Sequence, residues 1–291
     1  MAFSPQLWSA ATNAIMLKEL KITQRLMTTV TDYTNMVKGK KADAYNGPSL
    51  GDVTVYSLPI DLTNFAELAE VDFNLPFTTG KGVPILVSDV SELQTNLATR
   101  NIYTQKSADA LLDAYDASIA NAIILGLASA QRLEKTDDTT NKITQSDFAA
   151  AKLLLNTAKA PLTGRYAVLN VTDEGELTSI ANFISRDKLP NQESLKNGVV
   201  GMIDGFQIIM YNAMPLVDLN GILTGTKDKK VNLFYHEYIL GFGRQKELGV
   251  KVAPSAGTPG DYLNTWTVYG AKVHTNRDDY AVSVRDNVIS E

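Results

Sequence analysis

Few side chains in this sequence are of a type that could catalyse a reaction or bind a metal. The chain of 291 residues has two histidines and no cysteine, which excludes thiol nucleophiles, disulfides and cysteine-bound metals. His236 is followed four positions later by Leu240, where a zinc protease would place a second histidine. His236 lies in an aromatic run, and His274 lies near the end of a predicted strand. We therefore expect both histidines to be packed and hydrogen-bonded.

Paired carboxylates are the remaining candidates for acid–base chemistry or cation binding. The acidic pairs at residues 137–138, 173–174 and 278–279 each fall in a predicted turn or helix start, where capping and solvation are the usual roles. The glycines at residues 221–227 and 241–244 lack the spacing of phosphate-binding loops, and we predict turns at both. The sequence thus predicts no catalytic residue, no metal site and no cofactor.

Charge is spread unevenly along the chain, whose net charge is −5. Residues 1–41 carry six basic and two acidic groups, whereas residues 61–92 carry six acidic groups and one lysine. Opposite charges on two segments favour contacts between copies of the chain, although scattered solvated charge is an open alternative. The residues expected to make such contacts are Lys18, Lys21, Arg25, Lys38, Lys40 and Lys41 in the basic segment, and Glu67, Glu70, Asp72 and Lys81 in the acidic one.

A long helix, predicted over residues 107–132, is the element that would position part of this charge. Ser107 is a suitable N-cap and Arg132 suits the negative end of the helix dipole. Apolar residues recur between them at helical spacing. This prediction places Asp109, Asp113 and Asp116 near the start of the helix as exposed carboxylates, which form a candidate docking surface for the basic segment of a neighbour.

The remaining pattern predicts a mixed α+β protein. We expect a strand from about Val53, then a hairpin-like excursion that turns at residues 79–82 and returns over 83–87, with Pro76 and Pro84 favouring sheet edges. Thr144 and Asp147 form the capping pattern of a helix start. Further predictions are a polar loop over 134–142, a helix over 173–185, a glycine-rich loop over 198–205, and strands over 165–171, 206–211, 231–234, 250–253 and 266–275, the last paired with 280–284.

Four segments, in this order, carry a resemblance to a known family. They are residues 111–122, beginning Leu-Leu-Asp-Ala-Tyr, residues 164–169, Gly-Arg-Tyr-Ala-Val-Leu, residues 201–206, Gly-Met-Ile-Asp-Gly-Phe, and residues 234–237, Phe-Tyr-His-Glu. They are similar to the spine helix, the strand after the following helix, the glycine turn and the aromatic-histidine segment of the major capsid protein of tailed bacteriophages. The order of these motifs covers nearly the whole chain.

This resemblance implies the Hong Kong 97-like capsid fold, in the α+β class. It divides the chain into an N-terminal arm at residues 1–50, an extended β-loop at 51–87, a peripheral domain at 88–145 that includes the spine helix at 107–132, an axial domain at 146–245, and a return to the peripheral domain at 246–291.

The same resemblance implies a structural protein and not an enzyme. Copies would self-assemble into hexamers and pentamers of an icosahedral head that encloses double-stranded DNA without sequence specificity, located in the virion capsid and assembled in the host cell cytoplasm. The short N-terminus favours a separate scaffolding protein, and a portal is expected as a further partner. We expect no membrane contact, because no apolar run is long enough for a membrane span.

Three alternatives stay open at this point. An encapsulin-type nanocompartment shell protein shares the fold ancestry, but the apparent arm stands where a cargo-docking helix would be expected. A phage tail-tube or sheath subunit is disfavoured by the long helix. A carboxylate-based acid/base enzyme is the remote alternative, because no motif supports it.

Overall fold

The protein is described here from a computed structural model, which covers residues 25–37, 43–50, 70–88, 97–137, 139–177, 180, 184–185, 199–211, 213–254 and 260–287. Its α-helices are α1 (Thr34–Val37), α2 (Leu97–Gly126), α3 (Gln145–Thr157) and α4 (Glu174–Leu177). Its strands are β1 (Thr31–Asp32), β2 (Ala44–Leu50), β3 (Glu70–Pro76), β4 (Thr79–Ser88), β5 (Arg132–Glu134), β6 (Arg165–Asn170), β7 (Ile184–Ser185), β8 (Val199–Ile203), β9 (Phe206–Tyr211), β10 (Val231–His236), β11 (Leu240–Pro254), β12 (Gly260–Val273) and β13 (Ala281–Arg285).

The strands form two main sheets and a separate two-stranded ribbon. One sheet has the order β1-β11-β12-β4, and the other has the order β5-β13-β10-β6-β9-β8-β7. Both sheets are mixed: β1 is parallel to β11, β5 to β13 and β6 to β9, and the other neighbours are antiparallel. Strands β2 and β3 pair with each other, and we call this pair the ribbon. The prediction of a mixed α+β protein, with a sheet built from distant segments, is confirmed.

The long helix is confirmed, but both of its predicted ends are wrong. Helix α2 begins ten residues earlier than predicted and ends at Gly126, and Ser107 is fully buried inside it. A serine acts as an N-cap only where its own backbone is non-helical and the helix begins at the next residue. After the helix the chain turns into β5, where the guanidinium of Arg132 donates a 2.5 Å hydrogen bond to the carbonyl oxygen of Leu127. Arg132 therefore still satisfies a carbonyl group just beyond the helix.

The apolar face of α2 builds the larger hydrophobic core. Tyr115 is completely buried and meets the ring of Tyr269 edge-on at 4.7 Å, and its hydroxyl donates a 2.8 Å hydrogen bond to Thr267 of β12. A second core lies around α3, where the rings of Phe148 and Phe234 meet edge to face with their centres 5.1 Å apart. The helical spacing of apolar residues in the sequence is thus confirmed, since that face is the buried one.

Several predictions about the β-structure were wrong because strand partners are set by segments far along the chain. Residues 79–82 do not turn: they belong to β4, which pairs antiparallel with β12. Gly47 and Pro48 lie inside β2. Pro84 does lie on a sheet edge, because β4 is the last strand of its sheet, as proline requires. The strand predicted from Val53 lies outside the described residues.

Further corrections concern turns and pairings. Residues 198–205 were expected to be a loop, but Val199–Ile203 is a strand that forms a hairpin with β9. The turn itself consists of Asp204 and Gly205, with φ of 50° and 92°, the conformation of tight hairpin turns. Residues 241–243, predicted as a turn, lie inside β11. Strand β13 pairs with β10 and β5 and not with β12. The helix predicted over 173–185 is a single turn, α4, and Ile184–Ser185 is a strand.

The predicted start of α3 is confirmed in detail. The Asp147 carboxylate accepts hydrogen bonds from the backbone amides of Thr144 and Thr136, both at 2.7 Å, and from both threonine hydroxyls. Asp147 is buried, and a carboxylate near a helix N-terminus is stabilised by the helix dipole. This side chain therefore joins the polar loop before α3 to the helix itself.

Replacing Asp147 with alanine is expected to lower the free energy of unfolding by about 2 kcal/mol, because the capping bonds are lost and two partly buried amides lose their acceptor. Chemical denaturation followed by circular dichroism measures the change. Ser146→Ala, an exposed position in the same helical turn, is the matched control and should change stability by less than roughly 0.5 kcal/mol. Equal effects of the two substitutions would contradict this role of Asp147.

Candidate functional site

The basic segment and the long helix meet at a junction formed by Arg25, Met27, Asp113 and Asp116, which we call the arm–helix junction. The Arg25 guanidinium lies 2.5 Å from an Asp113 carboxylate oxygen and 3.4 Å from one of Asp116. The backbone amide of Met27 donates a 3.3 Å hydrogen bond to the other oxygen of Asp116. A short 3-10 helix, Leu26–Thr29, holds these groups in place. The junction attaches the arm to the helix through both charge and hydrogen bonding.

The two carboxylates of the junction differ in their surroundings. The Asp113 side chain is 61% exposed, whereas that of Asp116 is 2% exposed. Burial raises the pKa of Asp116 from 3.8 to about 6, with the positive charge of Arg25 acting in the opposite direction. Burial, together with the nearby negative charges, also raises the pKa of Tyr211 to about 12. The hydroxyl of Tyr211 is buried without a hydrogen-bond partner.

The prediction that Asp116 is exposed was wrong. Asp116 follows the buried Tyr115 and lies one helical turn from the buried Leu112 and Ile119, on the face of α2 that forms the core. Asp113 is exposed as predicted, and Asp109 is partly buried. The expected contact between a basic arm and acidic helix positions does exist at Arg25, but it forms within one chain. Whether a neighbour's arm also reaches this surface stays a prediction.

The other predicted contact residues are distributed along the ribbon and beyond it. Lys81 is exposed on β4, in register with Thr267 of β12. Glu70 and Asp72 lie in β3, opposite Leu50 and Pro48. Their side chains lie outside the described residues, as do Lys18, Lys21, Lys38, Lys40, Lys41 and Glu67 in full, and so does the helix start predicted at Asp89.

Both histidines have structural roles, as predicted. Nε2 of His236 lies 2.7 Å from the carbonyl oxygen of Thr163, and Nδ1 accepts a hydrogen bond from the amide of Tyr238, so Nε2 carries the proton. Burial lowers the pKa of His236. His274 stacks on Phe73 of the ribbon with ring centres 3.8 Å apart. Burial, with the charge of Arg277 adding to it, lowers its pKa to about 4, so the ring is neutral near pH 7.

The His274 ring belongs to an aromatic cluster that sequence reasoning missed. Tyr33 contacts both this ring and the ribbon: its hydroxyl is 3.4 Å from Nε2 of His274, and its ring stacks on that of Tyr45 with centres 5.0 Å apart. These side chains come from the arm, from both ribbon strands and from the end of β12. No local sequence signal joins residues that are up to 241 positions apart, so only the fold reveals the cluster.

An open groove of about 510 Å³ runs along α2 beside the four-stranded sheet. Its lining includes Ser118, Asn121 and Leu125 of α2, together with Thr79 of β4 and Lys272 of β12. The Leu125 residue is 61% exposed. The groove combines hydroxyl, amide and apolar groups, and its lining contains no carboxylate or histidine. It is a surface suited to contact and not to acid–base chemistry.

Two further observations concern the described residues only. Within the ranges given above, no group of three histidine, aspartate or glutamate side chains is placed to hold a metal ion. None of the helices in those ranges has the length and apolar character that a membrane crossing requires.

The arm–helix junction predicts a pH-dependent stability difference. Because the pKa of Asp116 is raised on folding, the folded state binds more protons than the unfolded state between about pH 4 and pH 6, and ionisation of Asp116 costs stability as the pH rises through that window. Asp116→Asn keeps an acceptor for the Met27 amide but cannot ionise. Relative to wild type, this variant should gain roughly 3 kcal/mol between about pH 4 and pH 7.5.

Urea unfolding at several pH values measures this difference. Asp113→Asn removes the exposed carboxylate that pairs with the same arginine and is the matched control, with a smaller expected change because exposed pairs contribute little. A stability difference for Asp116→Asn that is the same at both ends of the pH range would refute the proposed cost of the buried charge.

Comparisons with known proteins give a result at the level of structure only. No protein-family model and no curated protein matches the chain. A chain in the structure of Mycobacterium phage Che8 is 19% identical, with a TM-score of 0.64, over 90% of each chain. A chain in the capsid of Ralstonia phage GP4 is 12% identical, with a TM-score of 0.69, over 90% of this chain and 88% of the other.

A third match is the virus-like particle from Pyrococcus furiosus, which is 9% identical with a TM-score of 0.57, over 96% of this chain and 98% of the other. The likeness to the two phage structures covers nine-tenths of this chain. The chain therefore has the mixed helix and sheet fold of phage capsid proteins.

Proposed function

We propose that this chain is the major capsid protein of a tailed phage, a Hong Kong 97-like shell subunit that self-assembles into hexamers and pentamers of an icosahedral head. The single observation that carries the proposal is the structural likeness to phage capsids over nine-tenths of the chain. The head would enclose double-stranded DNA, assemble in the host cytoplasm with a separate scaffolding protein and a portal, and place this chain in the virion capsid.

The observed sheets support a division into two lobes. One face of the seven-stranded sheet shares the core of α2 with β11 and β12 of the four-stranded sheet, and its other face shares the second core with α3. We assign α2 and the four-stranded sheet to the peripheral lobe, and α3 and the seven-stranded sheet to the axial lobe. The boundary proposed at residues 245 and 246 falls inside the continuous strand β11. The short strands β5 and β13 come from the proposed peripheral segments 88–145 and 246–291 but complete the seven-stranded sheet. The two lobes therefore share strands.

The ribbon overlaps the proposed extended loop at residues 51–87 in β3 alone, because β2 precedes residue 51 and residues 79–87 belong to β4 of the four-stranded sheet. The ribbon strands pair in register from Ala44 opposite Pro76 to Leu50 opposite Glu70, and residues 51–69 connect them in the sequence. A two-stranded ribbon is marginally stable alone, and this one is held at its base by the aromatic cluster. In the proposed shell the ribbon and the basic arm would contact neighbouring copies through contacts that are individually weak but summed over many interfaces.

The proposal predicts that shell formation needs residues 51–69 and that folding does not. Because Leu50 and Glu70 lie directly opposite each other, an Asn-Gly pair in place of residues 51–69 should close the ribbon as a tight hairpin. This variant should be soluble and folded, with at least roughly tenfold fewer closed particles than wild type, since multivalent assembly magnifies the loss of one contact. Negative-stain microscopy and size-exclusion chromatography measure the outcome.

A second variant separates the length of this segment from its sequence. Replacing residues 51–69 with a Gly/Ser segment of equal length keeps the reach of the loop but removes its side chains. We expect it to assemble as poorly as the shortened form. Normal closed particles from the shortened variant would overturn the proposed role of the loop, and tubes or monomers from the wild type would overturn the shell function.

An encapsulin-type nanocompartment is the second candidate, and the match to the virus-like particle from Pyrococcus furiosus supports it. Protein cargo in purified particles would favour it, and DNA would favour the phage head. The geometry of Asp116 argues against the third candidate, a carboxylate-based acid/base enzyme. The pKa of the Asp116 carboxyl is raised, but Arg25 and the Met27 amide occupy both of its oxygens, and its side chain is almost fully enclosed.

A further inference from the structure

The ribbon does not emerge freely from the body of the protein but lies directly on the four-stranded sheet. Three residues of β3 and its continuation, Phe73, Leu75 and Phe77, alternate along the chain and are all buried. They form a small hydrophobic cluster of their own with Val37 of α1, and Tyr33, Tyr45 and Val268 pack against it. This cluster is separate from the two larger cores. The position of the ribbon on the sheet is therefore determined by the contacts of this cluster.

Three glycines of the four-stranded sheet lie next to this cluster. Gly241 and Gly243 lie two residues apart in β11 and share one face, and Gly270 of β12 is in register with Gly243. A methyl group at Gly241 would lie 2.8 Å from the Phe73 ring, and one at Gly243 would lie 3.2 Å from the Phe77 ring. We call these three glycines the glycine seat.

Gly270 makes the tightest of these approaches. A methyl group there would overlap the backbone carbonyl of Pro76, the last residue of β3. Backbone, unlike the end of a flexible side chain, cannot move aside without moving the whole strand. None of the three glycines has a positive φ, so backbone conformation does not require glycine here. What requires it is the close approach of the ribbon.

His274 closes the seat on one side. Its ring stacks on Phe73 at 3.8 Å and faces the hydroxyl of Tyr33. Just beyond the seat, the amide of Phe77 donates a 3.0 Å hydrogen bond to the carbonyl oxygen of Asp43, immediately before β2. The ribbon is thus held from below by the glycines, from the side by the His274 ring, and at its base by a backbone hydrogen bond.

We infer that Gly241, Gly243 and Gly270 are positioning residues that set the direction in which the ribbon leaves the sheet, and thereby the place at which residues 51–69 meet a neighbouring copy. The second half of this inference rests on the proposed shell function. The first half concerns the isolated subunit alone. A side chain at Gly270 must lift or tilt the ribbon, whereas the two main cores contain neither Gly270 nor the ribbon residues.

Gly270→Ala tests the inference, with Gly80→Ala as the matched control. Gly80 lies in β4 of the same sheet, is exposed, and has open space where a side chain would be added. Hydrogen exchange of the unassembled subunit is measured at residues 44–50 and 70–76, because displaced strands lose protection. We expect at least a tenfold faster exchange there in Gly270→Ala, unchanged exchange in α2 and α3, and wild-type behaviour throughout in Gly80→Ala.

Particle yield by negative stain is the second measurement. Gly270→Ala should lose closed particles and Gly80→Ala should keep them. Wild-type exchange of the ribbon in Gly270→Ala would overturn the seat, and normal particles despite faster exchange would overturn its role in assembly. If wild type forms no shells, the proposed function fails while the exchange measurement still decides the seat. Should Gly270→Ala fail to fold, His274→Ala loosens the ribbon without adding bulk, and unchanged exchange in that variant would overturn the inference.

Discussion

The packing of one face of α2 against β11 and β12 is the interaction on which the other described parts of this protein depend. At its centre lies Tyr115, whose ring is fully enclosed and meets Phe242 and Tyr269 edge-on. Its hydroxyl donates to Thr267, which in turn donates to the carbonyl oxygen of Lys246. Large aromatic side chains dominate core energetics when their polar atom finds a partner. This one side chain therefore links the helix to two strands both by apolar contact and by a hydrogen-bonded chain.

Buried polar groups then define how the outer segments attach to this core. The Asp116 carboxylate accepts a hydrogen bond from the Met27 amide of the arm, and the Asp147 carboxylate accepts one from the Thr136 amide of the loop before α3. Nε2 of His236 bonds to the carbonyl oxygen of Thr163. In each case the burial of a polar group is tolerated because hydrogen bonds or an opposite charge replace water. Lys135 is a further example, with its ammonium group 2.9 Å from carboxylate oxygens of both Asp173 and Asp286. Such contacts contribute modestly to stability but discriminate strongly among alternative packings, since a displaced partner leaves a charge unpaired.

The proposed function makes physical sense of this distribution of polar groups. Three ionisable groups with shifted pKa values lie in contacts within the chain: the Asp116 carboxylate pairs with Arg25 of the arm, and the two histidines pack against aromatic rings. The surfaces available for contact include the ribbon, the edge strand β4 and the groove along α2. A shell subunit works through the placement of such surfaces, because many weak contacts add up only when their geometry repeats from copy to copy. The glycine seat would matter for that reason, since it controls a direction and not a reaction.

Local sequence signals alone determined the elements whose causes are local. The apolar spacing around Leu112 and Tyr115 identified the helix, Thr144 with Asp147 identified the start of α3, and the apolar segment after the glycines at 201 and 205 identified β9. These three features depend on contacts within a few residues, where periodicity and capping rules apply. The capsid fold was an expectation from the resemblance of the ordered motifs to a known family.

Only the tertiary structure decided which strands pair, where α2 ends, and which carboxylate is buried. Asp113 and Asp116 look alike in the sequence, and the burial of one of them follows from its position on the core face of α2. Likewise, the glycines at 241 and 243 were predicted to form a turn, but they lie in a strand. Glycine is needed at these positions because the rings of Phe73 and Phe77, distant in the sequence, pack closely against them. A glycine that makes room for a distant ring has no local signature, because the constraint arises from space shared between segments and not from the conformation of its own backbone.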